Sequence, residues 1–559
     1  MLIEVCWAVT SFLIFFDWFL QQAIGEYVDA LVPKIVEQHP EEAGNWKPAA
    51  RKLRFPYWDW ADPKVAKDGV PSLFCDETLH VKVPGLGGKT APVRNPLAYF
   101  NFGDNIPKDF AIFKRDNNIA HFNKWTRTFR YASNDEKPSE SNIAKLQEEL
   151  KKKAESIRRQ VSTLFAFSDV QEAPEKNIYD EFSNTNPESL TKGTKERRVP
   201  EYHHSLEGVH NTIHGTMGGN GHMSNPDYAA FDPFFFFHHA NCDRLLALWE
   251  WCYPNYWIGD GYVNATGENV QWTQQMGNRK VGGGISEQTT AKGDYLSPFM
   301  KEDRTYWTSE DTRFLTPESG VCKYYSYPEF LGIKVNEPAS VEERINARTK
   351  LMAYYGYDAL TAKNQLKGGV QHVAAGDFML PAHYKVRRGF RVFQVHVRLP
   401  EFAFNGSYEF QLSYARLGKN DLFVGPVTVF ARGDDSACEA CEVRRENGTD
   451  VHGVVSIPPS FVNEMIRNSK IDRSQLTPEI TADLIKKHLR GELKDVSTTT
   501  LAFASNSGDV VASSAELASE LAPREVTLLS SSVAEDPDDS ERPACSFDWK
   551  PHGEVFTVC

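Results

Sequence analysis

Between residues 205 and 244 the chain carries three histidines whose spacing ties two helices to one point. His210 and His214 stand four apart in HNTIHG, so on a helix they share one side, about a turn apart. The run DPFFFFHHANCDR starts at Asp232, an N-capping residue followed by Pro233 at the first helical position. This predicts a second helix over residues 233–252, with His239 in its second turn. Meeting there, three imidazoles make a pocket for one transition metal. Imidazole nitrogen accepts copper, zinc, iron and nickel alike, and two helical histidines four apart are also accounted for by backbone and water partners. His238 points about 100° away from His239 round the helix and reads as a supporting or packing residue. Asp243, one turn on, either accepts a ring N–H and fixes its orientation or pairs with an arginine.

The 559 residues allow two or three domains, and 41% apolar with 25% charged residues is the balance of a globular protein. A net charge of −13 without a basic stripe argues against nucleic acid as a partner. The short run KKK at 151–153 reads as a solvated helix face. Near the N-terminus, CWAVTSFLIFF is too short to span a membrane, is flanked by Glu4 and Asp17, and has no Lys or Arg before it as a signal peptide would. No membrane partner is therefore expected. Nine scattered cysteines do not form a secreted disulfide framework, which points to an intracellular, cytoplasmic location.

Helical periodicity covers residues 24–39 and, through Ile143, Leu146, Leu150, Ile157, Val161 and Leu164, residues 141–165. Residues 58–105, rich in Pro and Gly, read as loops with short strands. Tyr325 and Tyr327 lie in KYYSYPEF, ahead of a linker at 331–342. Beyond it the period drops to two. Phe393, Val395, Val397 and Leu399 alternate with Gln394, His396 and Arg398; Asn405-Gly406 makes a turn; Tyr408, Phe410, Leu412 and Tyr414 alternate again; residues 422–430 make a third strand. This is an antiparallel β-sandwich pattern. Cys438 and Cys441 form a lone CEAC, which fits half a zinc site, a redox pair or two unrelated thiols. From residue 496 onward Ser, Ala and acids dominate, with 11 Asp and Glu against 3 Lys and Arg, so the segment reads as a disordered tail.

The order HN-x-x-HG, GHM at 221–223, AAFDP-x-F and HH-x-N-x-DR resembles the second copper-binding region, copper B, of tyrosinases, catechol oxidases and molluscan haemocyanins. FPYWDWADP at 55–63, WTRTFR at 125–130, the Tyr-x-Tyr element and the C-terminal strands make the chain most similar to a fungal tyrosinase, a polyphenol oxidase of the type 3 copper class. The resemblance implies a mainly α catalytic domain on a four-helix bundle, plus a C-terminal antiparallel β-sandwich lid that covers the site until cleaved or displaced. It implies copper as cofactor, with His210, His214 and His239 as ligands, and Glu207 and Asn211 holding a water that takes a phenolic proton. Phe235 matches a gate over that copper, and Gly215 leaves room at the pocket mouth. The plainer readings are a core ring for Phe235, a surface carboxylate for Glu207 and a helix hydrogen bond for Asn211. Cys438 and Cys441 would load copper as thiolates, and one of Phe402, Phe404 and Phe430 would plug the pocket from the lid. The implied activity is ortho-hydroxylation of monophenols and oxidation of o-diphenols to o-quinones, as in melanin synthesis, by a latent proenzyme opened by a protease. The implied partners are small phenols and O2.

The first copper region of such proteins, copper A, supplies three further histidines, and no segment here matches it. The first two histidines, His39 and His80, lie outside such a pattern, and the matching text begins near Gln22. The bundle is therefore expected to be incomplete. Residues 1–21 read as misjoined sequence, 22–335 as a central domain holding only copper B, 340–495 as the lid, and 496–559 as the tail. The chain as it stands is expected to be inactive on phenols; the alternative is a non-catalytic copper-binding protein.

Overall fold

The computed structural model describes residues 8–115, 118–166, 178–185, 204–256, 325–356, 383–416, 418–446, 448–472, 475–505, 521–539 and 544–556, with shorter pieces between 262 and 315 and the pair 372–373. Among the described residues the central body is built mainly from α1 (Ala8–Gln38), α2 (Ile143–Thr163), α3 (Ile178–Ser183), α4 (Leu206–Gly218), α5 (Phe234–Cys252) and α6 (Val341–Tyr355), with further helices at Ala43–Lys52 and Val65–Asp68. Helix α1 runs unbroken across residue 21, so the expected boundary there matches no change of element. Among the described residues, no helix is long and apolar enough to cross a membrane.

Local signals set the helix starts. Asn142 accepts from Lys145 N at 3.0 Å to cap α2, and Ser205 accepts from Gly208 N at 3.0 Å to cap α4. Ser340 and Glu343 form a reciprocal capping box at α6. On α2, Leu146, Leu150, Ile157 and Val161 are fully buried and face the core shared by α4, α5 and α6. Every residue of α5 except Phe236 is buried, as expected of a helix that is apolar all round. Asp232 fixes its entry: Oδ1 accepts from Phe234 N at 2.9 Å, and the carboxylate takes bonds of 2.8 and 2.6 Å from buried Arg130. Helix α6 buries Ala347, Leu351, Met352 and Tyr355 in this same core. The expected boundary at 335–340 is thus corrected: the central body continues through α6, because its apolar face packs on α2 and α5.

The C-terminal region holds β1 (Lys385–Pro400), β2 (Tyr408–Tyr414), β3 (Leu422–Val429), α7 (Glu439–Glu446), β4 (Asp450–Ile457), α8 (Pro459–Ser469), α9 (Pro478–Lys487), β5 (Leu489–Asp495), β6 (Thr500–Ser505), β7 (Glu525–Glu535) and β8 (Cys545–Glu554). One antiparallel sheet has the order β4-β1-β7-β8, with the short strand His372–Val373 also on β1; the other has the order β3-β2-β5-β6. Val395, Val397, Phe410, Leu412, Val427 and Leu528 come from both sheets and join one apolar cluster. The expected disordered tail is corrected here: β6, β7 and β8 are strands, and β7 lies between β1 and β8. Val526, Leu528 and Val533 of β7 are buried, while Ser530 Oγ and Ser532 Oγ accept from Arg391 Nε and Nη1, each at 2.8 Å. Residues 506–520, 540–543 and 557–559 of that expected tail lie outside the described residues.

The KKK run is a second correction. Lys153 is buried, with Nζ 2.9 Å from both oxygens of Glu409 on β2, and Lys152 Nζ reaches Gln411 at 3.2 Å. Lys151 and Lys152 stay exposed as expected, and only Lys153 is covered by the C-terminal sheet. Removing one member of a buried pair strands the other charge, so Glu409→Ala is expected to lower unfolding stability by about 3–5 kcal/mol. Replacing both members by apolar residues of similar volume is expected to be close to neutral. Urea denaturation of the single and double variants checks this, and equal losses in both would contradict it.

Candidate metal centre

Helices α4 and α5 bring Nε2 of His210, His214 and His239 together. His210 and His214 are 3.0 Å apart at these atoms, and each lies 3.3 Å from Nε2 of His239. Three nitrogens about 2.0–2.1 Å from a common tetrahedral ion are about 3.3 Å from one another, so the triangle has the size that one metal requires.

The ring tautomers agree with that use. His214 Nδ1 lies 2.7 Å from the carbonyl oxygen of Met223, and His210 Nδ1 lies 2.9 Å from Asn211 Oδ1. Both partners can only accept, so each Nδ1 carries the proton and each Nε2 offers its lone pair. A Cβ on Gly218 would lie 2.2 Å from Ser224 N, so glycine lets the chain turn back tightly enough to bring Met223 to His214. Burial is the main cause that drives His210 down to about 4 and His214 and His239 well below the usual histidine range, with neighbouring imidazoles adding to the fall at the latter two. At neutral pH the rings are uncharged, which is the form that binds a metal.

His238 also belongs to the group, since one ring nitrogen from each of His210, His214, His238 and His239 lies within 4.8 Å of the others. Among the described residues this is the one group of histidines, cysteines and carboxylates close enough to hold an ion. His222, from the GHM motif, is elsewhere. It is a core residue whose Nδ1 accepts from Phe129 N at 3.1 Å among Phe102, Phe122 and Trp125.

Residues 12–252 match the family model described as the common central domain of tyrosinase, and they include this triangle. Across residues 12–252 the chain is a tyrosinase-family central domain. The match begins ten residues before the start expected at Gln22. Among curated tyrosinase-family relatives, polyphenol oxidase 4 of Agaricus bisporus is 29% identical over 332 residues, 58% of this chain and 45% of that protein. The tyrosinase of Neurospora crassa is 30% identical over 320 residues, 54% of this chain and 40% of that protein. The matched part of this chain thus spans less than half the length of these relatives. The structure of recombinant mushroom tyrosinase superposes with a TM-score of 0.61 at 20% identity, covering 93% of this chain and 81% of that one, so the tyrosinase fold is shared.

The C-terminal sheets cover this tyrosinase-family site. Thr428 on β3 sits 3.2 Å, oxygen to oxygen, from Thr212 on α4, and a Cβ on Gly215 would lie 3.4 Å from the Thr428 methyl. Gly215 thus faces β3, and a Cβ there would meet Thr428 at ordinary contact distance. Just past β3, Phe430 stacks on His214 with ring centres 4.2 Å and planes 23° apart, and stands edge-on to His210 at 6.0 Å. Of the three candidates, Phe430 is the one in ring contact with these histidines. Phe404 packs on Tyr408, and Phe402 lies under the guanidinium of Arg445. Phe235 stacks on His239 at 4.0 Å, consistent with both the gate and the core-ring readings.

The supporting residues differ from expectation. Asp243 does not orient a ligand ring. Its Oδ2 accepts from the hydroxyls of both Tyr325 and Tyr327, and burial raises its carboxyl to about 6 against the lowering effect of those bonds. Nor does it pair with Arg244, which reaches Asp59 at 3.1 Å, within FPYWDWADP. The Tyr-x-Tyr element thus fastens onto α5 one turn beyond His239. Glu207 and Asn211 make separate bonds: Glu207 Oε2 accepts from Thr185 N at 2.6 Å and from Thr185 Oγ1 at 3.0 Å, while Asn211 holds His210. Cys438 and Cys441 are joined as a disulfide, so the expected pair of copper-loading thiolates is present in its oxidised form.

Proposed function

We propose that this chain carries the copper B site and the covering domain of a latent tyrosinase-type oxidase acting on small phenols with O2. The observation that carries this reading is the triangle of Nε2 atoms at 3.0–3.3 Å, with Phe430 stacked on one of its rings. His210, His214 and His239 would hold one copper through neutral imidazoles, a ligand type that copper accepts, and copper when bound supplies the redox chemistry with O2. Asn211 orients His210, and the Met223 carbonyl orients His214. Phe430 occupies the face of His214 on which a substrate ring would stack, so the covering domain keeps phenols out until it is displaced, for instance by proteolysis. The disulfide between Cys438 and Cys441, once reduced, would offer two thiolates suited to Cu(I).

A second reading, in which the chain binds copper without turning over phenols, is favoured by one observation. The described residues bring together a single imidazole group, whereas the reaction on phenols uses a pair of coppers. The full chain, loaded with copper and desalted, is expected to keep about one ion per chain and to form no quinone from a monophenol or a catechol. Two retained ions with quinone formation would overturn the one-copper assignment. Loss of all copper on desalting would overturn the metal reading altogether.

A further inference from the structure

We infer that Cys438 and Cys441 form a thiol–disulfide exchange centre, in which Cys438 is the sulfur that an incoming small thiol attacks and Cys441 is the sulfur that leaves. The inference concerns sulfur alone and does not depend on whether the imidazole triangle holds copper.

The pair is bonded across the two residues between them in CEAC, with Cα atoms 5.2 Å apart. Among the described residues, no histidine, carboxylate or other cysteine joins these two in a group that could hold an ion, so half a zinc site finds no other half there. Nor is the bond a staple for the fold. A ring closed over a sequence separation of 3 removes little freedom from an unfolded chain. The turn is also held by other means. Cys441 N and Glu442 N both donate to the Cys438 carbonyl, at 3.0 and 3.1 Å, and so open α7. On one side Arg432 and Ser436 reach Asp227 at 3.3 and 3.0 Å, and on the other buried Arg444 reaches Glu401 at 2.6 Å. The backbone therefore keeps its shape with the sulfur bond made or broken. Two thiols left by reduction stay close enough to close again within the chain.

The two sulfurs are unequal. Cys438 is half-buried beside exposed Ala437, whereas Cys441 is 4% exposed. An incoming thiolate thus meets Cys438. It bonds to that Sγ, the bond between the two cysteines breaks, and its electron pair leaves with Cys441. A second small thiol then attacks the sulfur of the first and displaces Cys438. Two small thiols are oxidised to one disulfide, the protein disulfide is reduced to two thiols, and the protons of the former end on the latter. Cys438 Sγ accepts from Cys441 N at 3.2 Å, a donor placed to hold the thiolate that is released.

The test uses the full chain with a chelator present and glutathione as the thiol. Across buffers of varied reduced-to-oxidised glutathione ratio, alkylation and peptide mass mapping are expected to show the pair passing reversibly between disulfide and dithiol, with the circular dichroism spectrum unchanged. Cys441→Ser is expected to trap a glutathione mixed disulfide on Cys438, and Cys438→Ser to form one at least about tenfold more slowly. Limited alkylation of the reduced wild type is expected to label Cys438 first, which keeps the assignment testable if a variant fails to fold. A disulfide that stays closed in excess reduced glutathione, or opens only with loss of the folded spectrum, would overturn the exchange centre. Equal reaction at the two sulfurs, or faster reaction at Cys441, would overturn their assigned roles.

Discussion

Replacing His214 by alanine is expected to weaken copper binding by about a hundredfold to a thousandfold. Complete four-ligand metal sites in small domains are worth about 10–16 kcal/mol, so one ligand accounts for about 3–4 kcal/mol. His214 is the most demanding of the three positions. Its Nε2 lies 3.0 Å from that of His210 and 3.3 Å from that of His239, while its Nδ1 is bonded to Met223. Alanine removes the ligand and also leaves the Met223 carbonyl without this donor. Competition against a chelator of known affinity measures the change. His222→Gln is the control, because His222 is equally buried but stands outside the ligand group, and copper affinity should not change there. Equal weakening by both substitutions would mean that the effect comes from general destabilisation.

Without metal, the chain is expected to unfold as pH falls from about 6.5 towards 4. Burial holds His210 and His222 down at about 4, and His214, His238 and His239 well below their usual range. A histidine that takes its proton at about 6.5 when unfolded and at about 4 when folded binds more protons unfolded throughout that interval. Its stabilising contribution is complete above about pH 6.5 and is lost as pH drops through the folded value. For His210 and His222 this amounts to about 3 kcal/mol each, against a total of about 5–15 kcal/mol for an ordinary domain. Copper competes with protons at the triangle, so the loaded chain should unfold at a lower pH than the metal-free chain. An acid titration followed by circular dichroism, with and without copper, reads the two midpoints. Coincident midpoints would show that copper does not engage these rings.

The features legible in the sequence were those fixed by neighbours in the chain. The four-residue step from His210 to His214 and the Asp232-Pro233 helix start are local, and they placed two helices and brought three imidazoles together. The alternation through Phe393 and Tyr408 likewise marked the first strands of the C-terminal sheets. What stayed hidden depends on contacts across long stretches of chain. Asp243 looked free to orient His239 because Tyr325 and Tyr327, which take its carboxylate, lie some eighty residues downstream. Lys153 looked solvated because Glu409 comes from another domain. Phe430 could not be told from Phe402 and Phe404 until β3 was seated on α4. Strand β7 was missed because SSS at 530–532 dominates its composition, although Val526, Leu528 and Val533 face inward.

The place of β7 bears on the order in which the molecule is assembled. Strand β1 has β4 on one edge and β7 on the other, and β7 arrives more than a hundred residues after β1 along the chain. During synthesis the imidazoles of α4 and α5 emerge long before the cover over them can be finished, since one edge of β1 stays without its long partner until residues 525–535 leave the ribosome. A nascent chain thus passes through an interval in which its ligands are in place and its roof is not, and an ion can enter then without prising any finished strand away.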